Sequence, residues 1–249
     1  MRRFVSLAVA VLVGGLLLSS CGDSGSGDGG FQVTSGVVSH EATKDMLVFA
    51  PDAEGSWPVI VAFHGVGGDP KDMAEIATRL AREGNVVFAP TYGTDITTQE
   101  GVDQAGVDAE CGYRFARSIA AVYGGDLDQP LTFVGWSLGA SAALAIGLTE
   151  EIDPTGEFVS CFDQVPRPDI VLIAGEQDTT CPSWETKDAA AELRSAGYDV
   201  DLVMLEGASH FAPILGDLVD GELVVSDNPA GERTLEVILN AIAARQDRS

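Results

Sequence analysis

Basic side chains are scarce in this 249-residue chain: 14 Lys and Arg stand against 38 Asp and Glu, a formal net charge of -24 at pH 7. A surface this acidic repels phosphate backbones and anionic headgroups, so nucleic acid is not an expected partner. Acidity favours solubility and is silent about the reaction. Histidine is rarer still, with three copies, and cysteine contributes four. Neither shows a convincing ligand spacing, so a zinc site is not expected, and an imidazole-based chemistry has to choose among His40, His64 and His210. Internal repeats and a second domain boundary are also lacking, which leaves room for one catalytic domain with one sizeable core.

The N-terminus reads differently from the rest. Residues 1–20 have the pattern of a signal peptide: Arg2 and Arg3 form a basic start, and residues 4–18 form an apolar run ending in small residues. The run closes on Leu18-Ser19-Ser20-Cys21, which resembles the lipobox of bacterial lipoproteins. That resemblance implies cleavage before Cys21, lipid on the Cys21 thiol and anchorage to the outer face of the cell membrane. Several acyl chains hold a protein firmly, whereas one myristoyl chain anchors marginally at about 0.8 kcal/mol per buried CH₂. An uncleaved anchor or an ordinary secretory leader is the competing reading. Residues 22–30 contain only Gly, Ser and Asp, so residues 21–30 are expected to form a lipidated flexible tether, with the catalytic domain over 31–249.

Export permits disulfides, yet Cys111, Cys161 and Cys181 are an odd number once Cys21 is assigned to lipid. Cys111 with Cys161 is the preferred pair. Val107, Cys111, Phe115, Ile119 and Val122 also recur at helical spacing, which makes Cys111 readable as a small core residue instead.

From residue 31 onward the pattern is α/β. Residues 31–39 and 46–49 read as two antiparallel strands at the entry to the sheet. Residues 59–63 form a continuous apolar run of strand length, suited to a strand covered on both faces. Met73, Ile76, Ala77, Leu80 and Ala81 then share a helix face, and residues 86–89 supply the next buried strand. The alternation continues with a helix around 107–122, a strand at 131–136, a small-residue helix at 138–148, a strand at 170–174, a helix at 183–196 and a strand at 200–206. Asn228 and Pro229 then cap and start a last helix. The expected fold is a mostly parallel, doubly wound sheet with helices on both faces.

Chemistry concentrates at three strand ends. Gly135-Trp136-Ser137-Leu138-Gly139 lies between a strand and a helix. There a sharp turn projects a serine oxygen, and the helix N-terminus favours developing negative charge. A hydroxyl needs a base, and His210 follows the strand 200–206, where its loop reaches the carboxyl edge of the sheet. His40 lies before the parallel strands and His64 ends one of them; His64 is expected to order its own loop. The imidazole in turn needs an acceptor, and Asp178 follows the strand 170–174 through Gly175-Glu176-Gln177, giving the chain order Ser, Asp, His. Glu176 is the runner-up, and Asp169 belongs to the opposite end of that strand. In His64-Gly65-Val66-Gly67-Gly68 a glycine-rich turn can aim backbone N–H groups into the cleft; Val66 and Leu138 are the expected oxyanion donors, with Gly67 as the alternate.

Taken together these residues resemble the α/β-hydrolase superfamily, and within it the small lidless dienelactone-hydrolase-like and polyhydroxybutyrate-depolymerase-like esterases, over residue 31 to the C-terminus. The resemblance implies a serine hydrolase acting on a small-molecule ester or related acyl substrate. It assigns Ser137 as nucleophile, Asp178 as orienting acid and His210 as base, and it requires no cofactor. Thioester or peptide hydrolysis and acyl transfer use the same constellation, and a non-catalytic lipid-anchored binding protein is the alternative from another class. In one respect the chain departs from the family. Another strand usually separates the nucleophile helix from the acid-bearing strand, and only residues 158–162 offer a short candidate. With no room for an inserted lid, an open or shallow cleft is expected.

Overall fold

The computed structural model describes residues 30–40, 43–129, 131–149, 169–220 and 222–246. The expected leader, Cys21, nearly all of the tether, Cys161 and the strand candidate 158–162 lie outside these residues. Among the described residues no helix is long and apolar enough to cross a membrane.

The chain enters through an antiparallel pair, β1 (Val33–His40) and β2 (Thr43–Pro51), and continues with β3 (Val59–Phe63), α1 (Ala74–Arg82) and β4 (Val86–Pro90). Then come α2 (Gln99–Ile119), β5 (Thr132–Gly135), α3 (Leu138–Thr149), β6 (Ile170–Gly175), α4 (Ser183–Ser195), β7 (Val200–Leu205), β8 (Gly216–Val219), β9 (Glu222–Val225) and α5 (Pro229–Gln246). Five strands form one sheet in the order β1-β2-β4-β3-β5, with β3 parallel to both β4 and β5. An α/β layout follows from the sequence of β3 and β4, whose every residue is buried: such strands are stable only where helices cover both faces.

Strand alternation divides the interior into two layers. Val59, Val61 and Phe63 of β3 point to one side and pack with Ala109, Tyr113 and Ala116 of α2 and Ile146 of α3. Ile60 and Ala62 point to the other side and pack with Ile76, Ala77 and Leu80 of α1 and Ile238 and Ile242 of α5. Burying one such aliphatic side chain contributes about 1.5–3 kcal/mol, so these two layers hold the strand ends in place. Helix starts agree with their capping residues. Thr98 Oγ1 accepts the Gly101 N–H at 3.0 Å to start α2, and Asn228 Oδ1 accepts the Gly231 N–H at 2.7 Å to start α5.

Three expectations need correction. Helix α2 begins at Gln99 rather than near 107, and its buried face is Ala105, Ala109, Gly112, Tyr113 and Ala116. Val107 and Cys111 are exposed, because the helix approaches the sheet too closely for larger residues: a Cβ on Gly112 would lie 2.6 Å from Pro90 Cβ. Cys111 is a free, exposed thiol and not a core residue, and Cys161, its expected partner, lies outside the described residues. The hairpin β8–β9 was not expected; its apolar residues pack only in part, and Val219 and Val225 face solvent, so they give no clear period. Finally, β6 and β7 form their own parallel pair, and among the described residues β5 has no partner on its β6 side.

Candidate active site

Ser137 occupies a strained turn that the neighbouring sequence makes unavoidable. Strand β5 ends at Gly135 and α3 begins at Leu138, so the reversal is completed within two residues, and Ser137 adopts a left-handed backbone with φ 56°. For a non-glycine residue this costs on the order of 1–3 kcal/mol, persisting only where the surroundings enforce it. The enforcing contact is steric. A Cβ on Gly135 would lie 2.0 Å from the Gly139 carbonyl oxygen, and one on Gly139 would lie 2.1 Å from the Phe63 carbonyl oxygen, so both positions must be glycine. The serine side chain is thereby lifted toward the cleft at the start of a helix.

The other two residues arrive through the parallel pair β6–β7. Its register sets Gly175 beside Leu205, and the loops beyond stay joined: the Glu176 N–H donates to the Leu205 carbonyl at 3.0 Å and the Gln177 N–H to the Ala208 carbonyl at 3.0 Å. Asp178 and His210 consequently meet. The His210 Nδ1 lies 2.7 Å from Asp178 Oδ2, and both side chains are 9% exposed. With Nδ1–H donating to the carboxylate, Nε2 carries the lone pair. The remaining carboxylate oxygen is engaged as well, since Oδ1 accepts the backbone N–H groups of Thr180 and Cys181, each at 2.8 Å. Three hydrogen bonds therefore fix one carboxylate. Asp178, rather than the exposed Glu176, is the residue that faces the imidazole, and Asp169 lies exposed at the other end of β6.

Trp136 ties the turn at Ser137 to the loop that carries His210. Its Nε1–H donates to the His210 carbonyl at 2.8 Å, and its ring centroid is 5.2 Å from that of His210 and 5.2 Å from that of Phe211. The same indole leaves no space for a Cβ on Gly65, which would approach it at 2.7 Å and Ser137 Cβ at 3.3 Å. The loop after β3 thus passes directly beside Ser137. Trp184, by contrast, is exposed.

In that loop Gly67 adopts φ 71°, and the Gly68 N–H closes a turn on the Gly65 carbonyl at 3.3 Å. Among the described residues the N–H groups of Val66 and Leu138 have no hydrogen-bond acceptor, which leaves both free for a ligand oxygen. His64 supports the loop from behind. It is 1% exposed, its Nδ1 is 3.0 Å from the Gly65 carbonyl oxygen, and its ring lies against Tyr92, whose hydroxyl donates to the His64 carbonyl. Burial pushes the His64 pKa below 6.5 against the opposing effects of the Gly65 carbonyl, Asp72 and Asp69, so this imidazole is neutral. His40 ends β1, in the outermost strand of the sheet.

Ser137, Asp178 and His210 line one cavity of about 480 Å³, walled mainly by apolar side chains of β5, β6, α3 and α5 such as Phe133, Leu144, Leu172 and Ile238. The described residues therefore frame an apolar hollow beside Ser137. Two contributors escaped sequence reasoning. Cys181 lines the same cavity and its side chain is hydrogen-bonded to Ser137; its place three residues after Asp178 in a turn was the available signal. Tyr92 gave no signal, because its contact with His64 joins the ends of two different strands.

Comparison with known proteins bears on the fold. The dienelactone hydrolase family model matches residues 45–110, the segment from β2 through β3, the loop 64–68, α1 and β4 into the first part of α2. Among solved structures, the butyrate-bound esterase 2 of the planctomycete Thermogutta terrifontis superposes with a TM-score of 0.60 at 21% identity, covering 80% of this chain and 88% of that one. The same esterase phosphoramylated by tabun gives 0.61 at 19% identity, covering 85% and 94%. Its paraoxon-phosphorylated form gives 0.58 at 20% identity, covering 82% and 91%. Comparison with curated proteins finds no match. The chain has the α/β-hydrolase fold, and it is similar to dienelactone hydrolases and to this bacterial esterase.

Proposed function

We propose that the protein is a serine esterase that hydrolyses carboxylic esters through an acyl-enzyme on Ser137. The observation that carries the reading is the 2.7 Å contact of His210 Nδ1 with a fully engaged Asp178 carboxylate, in the cavity that Ser137 also lines. In the first step His210 Nε2 takes the hydroxyl proton as Ser137 Oγ attacks the ester carbonyl, and Asp178 stabilises the imidazolium that results. The tetrahedral oxyanion accepts hydrogen bonds from the Val66 and Leu138 N–H groups. Removing one such donor costs about 3–4 kcal/mol in other enzymes of this kind. His210 then protonates the departing alcohol. Water, deprotonated by the same imidazole, releases the acid and restores Ser137.

The relatives support the bond type: the similar esterase is described bound to butyrate and to propionate, and it is modified by organophosphates such as paraoxon and tabun. An apolar hollow beside Ser137 suits an acyl chain and an uncharged ester better than a peptide. We further propose that the enzyme works at the outer face of a bacterial membrane, held by lipid on Cys21 through the tether 22–30. The support is the leader pattern and the lipobox-like sequence alone. Release of p-nitrophenol from a series of p-nitrophenyl esters, acetate to octanoate, by the wild type and Ser137→Ala tests the activity. Turnover by wild type with loss of at least about 10³-fold in the variant supports it, and equal turnover by the two refutes the assigned nucleophile.

A further inference from the structure

Cys181 is the one thiol among the described residues lining the site, and the mechanism above does not use it. Its position is set with unusual economy. Its backbone N–H donates to Asp178 Oδ1 at 2.8 Å, Pro182 follows, and α4 starts at Ser183, so the residue is held between the carboxylate that orients His210 and the first turn of a helix. Its side chain is hydrogen-bonded to that of Ser137 and lines the cavity with Ser137, Asp178 and His210. The other described cysteine, Cys111, is exposed on α2 and does not line the cavity.

We infer that Cys181 is a specificity-determining residue of this site: its sulfur touches the Ser137 hydroxyl, and so forms the wall against which the acyl group lies once bonded to that oxygen. The inference rests on the esterase reading above. The physical reason is proximity. An acyl carbon joined to Oγ is one covalent bond from the atom that the sulfur already contacts, so the group attached to it meets Cys181 before any more distant lining residue. Burial, and the negative charge of Asp178, push the Cys181 pKa up against the effect of Ser137, so the sulfur is a neutral thiol at neutral pH. In this contact the Ser137 hydroxyl donates to the sulfur, a weak acceptor that competes poorly with His210 Nε2 for the same proton. It is therefore a small, weakly polar wall and not a rival nucleophile.

Two substitutions change that wall in opposite directions. Cys181→Ala removes the sulfur and widens the space beside Oγ, and Cys181→Leu fills it. One methylene in an apolar pocket alters discrimination by about tenfold or more. The ratio of kcat/KM for p-nitrophenyl 2-methylpropanoate over p-nitrophenyl acetate is therefore expected to rise about tenfold in Cys181→Ala and to fall by a similar factor in Cys181→Leu, whereas Cys111→Ser leaves the ratio unchanged. N-ethylmaleimide, applied at alkaline pH where part of the thiol is ionised, supplies a second readout. The sulfur adds across its double bond, the thiol proton passes to the neighbouring carbon, and the bulky adduct at Cys181 blocks access to Ser137. Wild type and Cys111→Ser are expected to lose ester hydrolysis under the reagent, and Cys181→Ala to keep it.

A ratio that stays constant in both Cys181 variants, or equal inactivation of wild type and Cys181→Ala by the maleimide, overturns the inference. A fluorophosphonate probe separates this failure from that of the esterase reading. Labelling of Ser137 and active hydrolysis with an unchanged ratio reject only the role of Cys181, whereas no labelling and no hydrolysis in the folded wild type reject the esterase itself.

Discussion

Replacing Asp178 by Asn exchanges one oxygen for an NH₂ group and should remove nearly all activity, because every hydrogen bond to this carboxylate is directional. Oδ1 accepts from the Thr180 and Cys181 N–H groups at 2.8 Å, and Oδ2 faces His210 Nδ1 at 2.7 Å. A carboxamide has one acceptor oxygen and one donor nitrogen. Turning its oxygen to the two backbone donors keeps two bonds and places the NH₂ against Nδ1. The imidazole then has to accept at Nδ1 and carry its proton on Nε2, the tautomer that cannot take a proton from Ser137. Turning the amide the other way sets its NH₂ against two N–H donors and is the worse choice. The fold survives and the base is disabled. By analogy with other triads the loss in kcat is about 10⁴-fold, or about 5 kcal/mol in the barrier. The assay is steady-state hydrolysis of p-nitrophenyl butyrate, with a circular dichroism melt to show that the variant is folded. A folded Asp178→Asn enzyme within about threefold of the wild-type kcat would refute the reasoning.

Other consequences follow from single contacts. Trp136→Phe keeps the ring against His210 and Phe211 and deletes the 2.8 Å bond to the His210 carbonyl. It is expected to cost about 1–3 kcal/mol, to lower kcat more than it raises KM, and to be checked by steady-state kinetics and a urea melt. Gly139→Ala places a Cβ 2.1 Å from the Phe63 carbonyl oxygen, a clash with backbone that cannot yield, so the variant should be insoluble or melt well below wild type in differential scanning fluorimetry. For His64 the folded pKa is lowered by burial, so the unfolded chain binds the additional proton. Stability is therefore full above 6.5 and falls as pH drops from 6.5 toward the folded value. Unfolding free energies measured in urea from pH 7 to 5 should decline in wild type and decline less in His64→Gln; equal slopes would contradict the neutral buried state.

How legible this site was depended on how local each signal is. The nucleophile turn could be read from Gly135, Ser137 and Gly139, because their spacing is itself the steric requirement that the turn imposes. Asp178 and His210 were legible as residues just past apolar runs of strand length, and the parallel pairing of β6 and β7 brings those two ends together. Helix α2 was misphased for the opposite reason. Val107, Phe115, Ile119 and Val122 carry the large apolar side chains of this segment, whereas the helix packs through Ala105, Ala109, Gly112 and Ala116, which carry almost no hydrophobic signal. The hairpin β8–β9 eluded the reading because Val219, Val224 and Val225 face solvent. The roles of Trp136, Tyr92 and Cys181 depend on partners from 28 to 74 positions away for the first two, and on the side chain of Ser137 for the third, and no sequence period encodes such meetings.

The most direct measurement is the site of covalent capture by paraoxon. Intact-mass and peptide mass spectrometry of the folded protein should find one diethylphosphoryl group on Ser137, with none in Ser137→Ala and markedly slowed labelling in His210→Ala. An unmodified Ser137 in the folded wild type, or a phosphoryl group carried on a different residue while ester turnover is lost, would contradict the account.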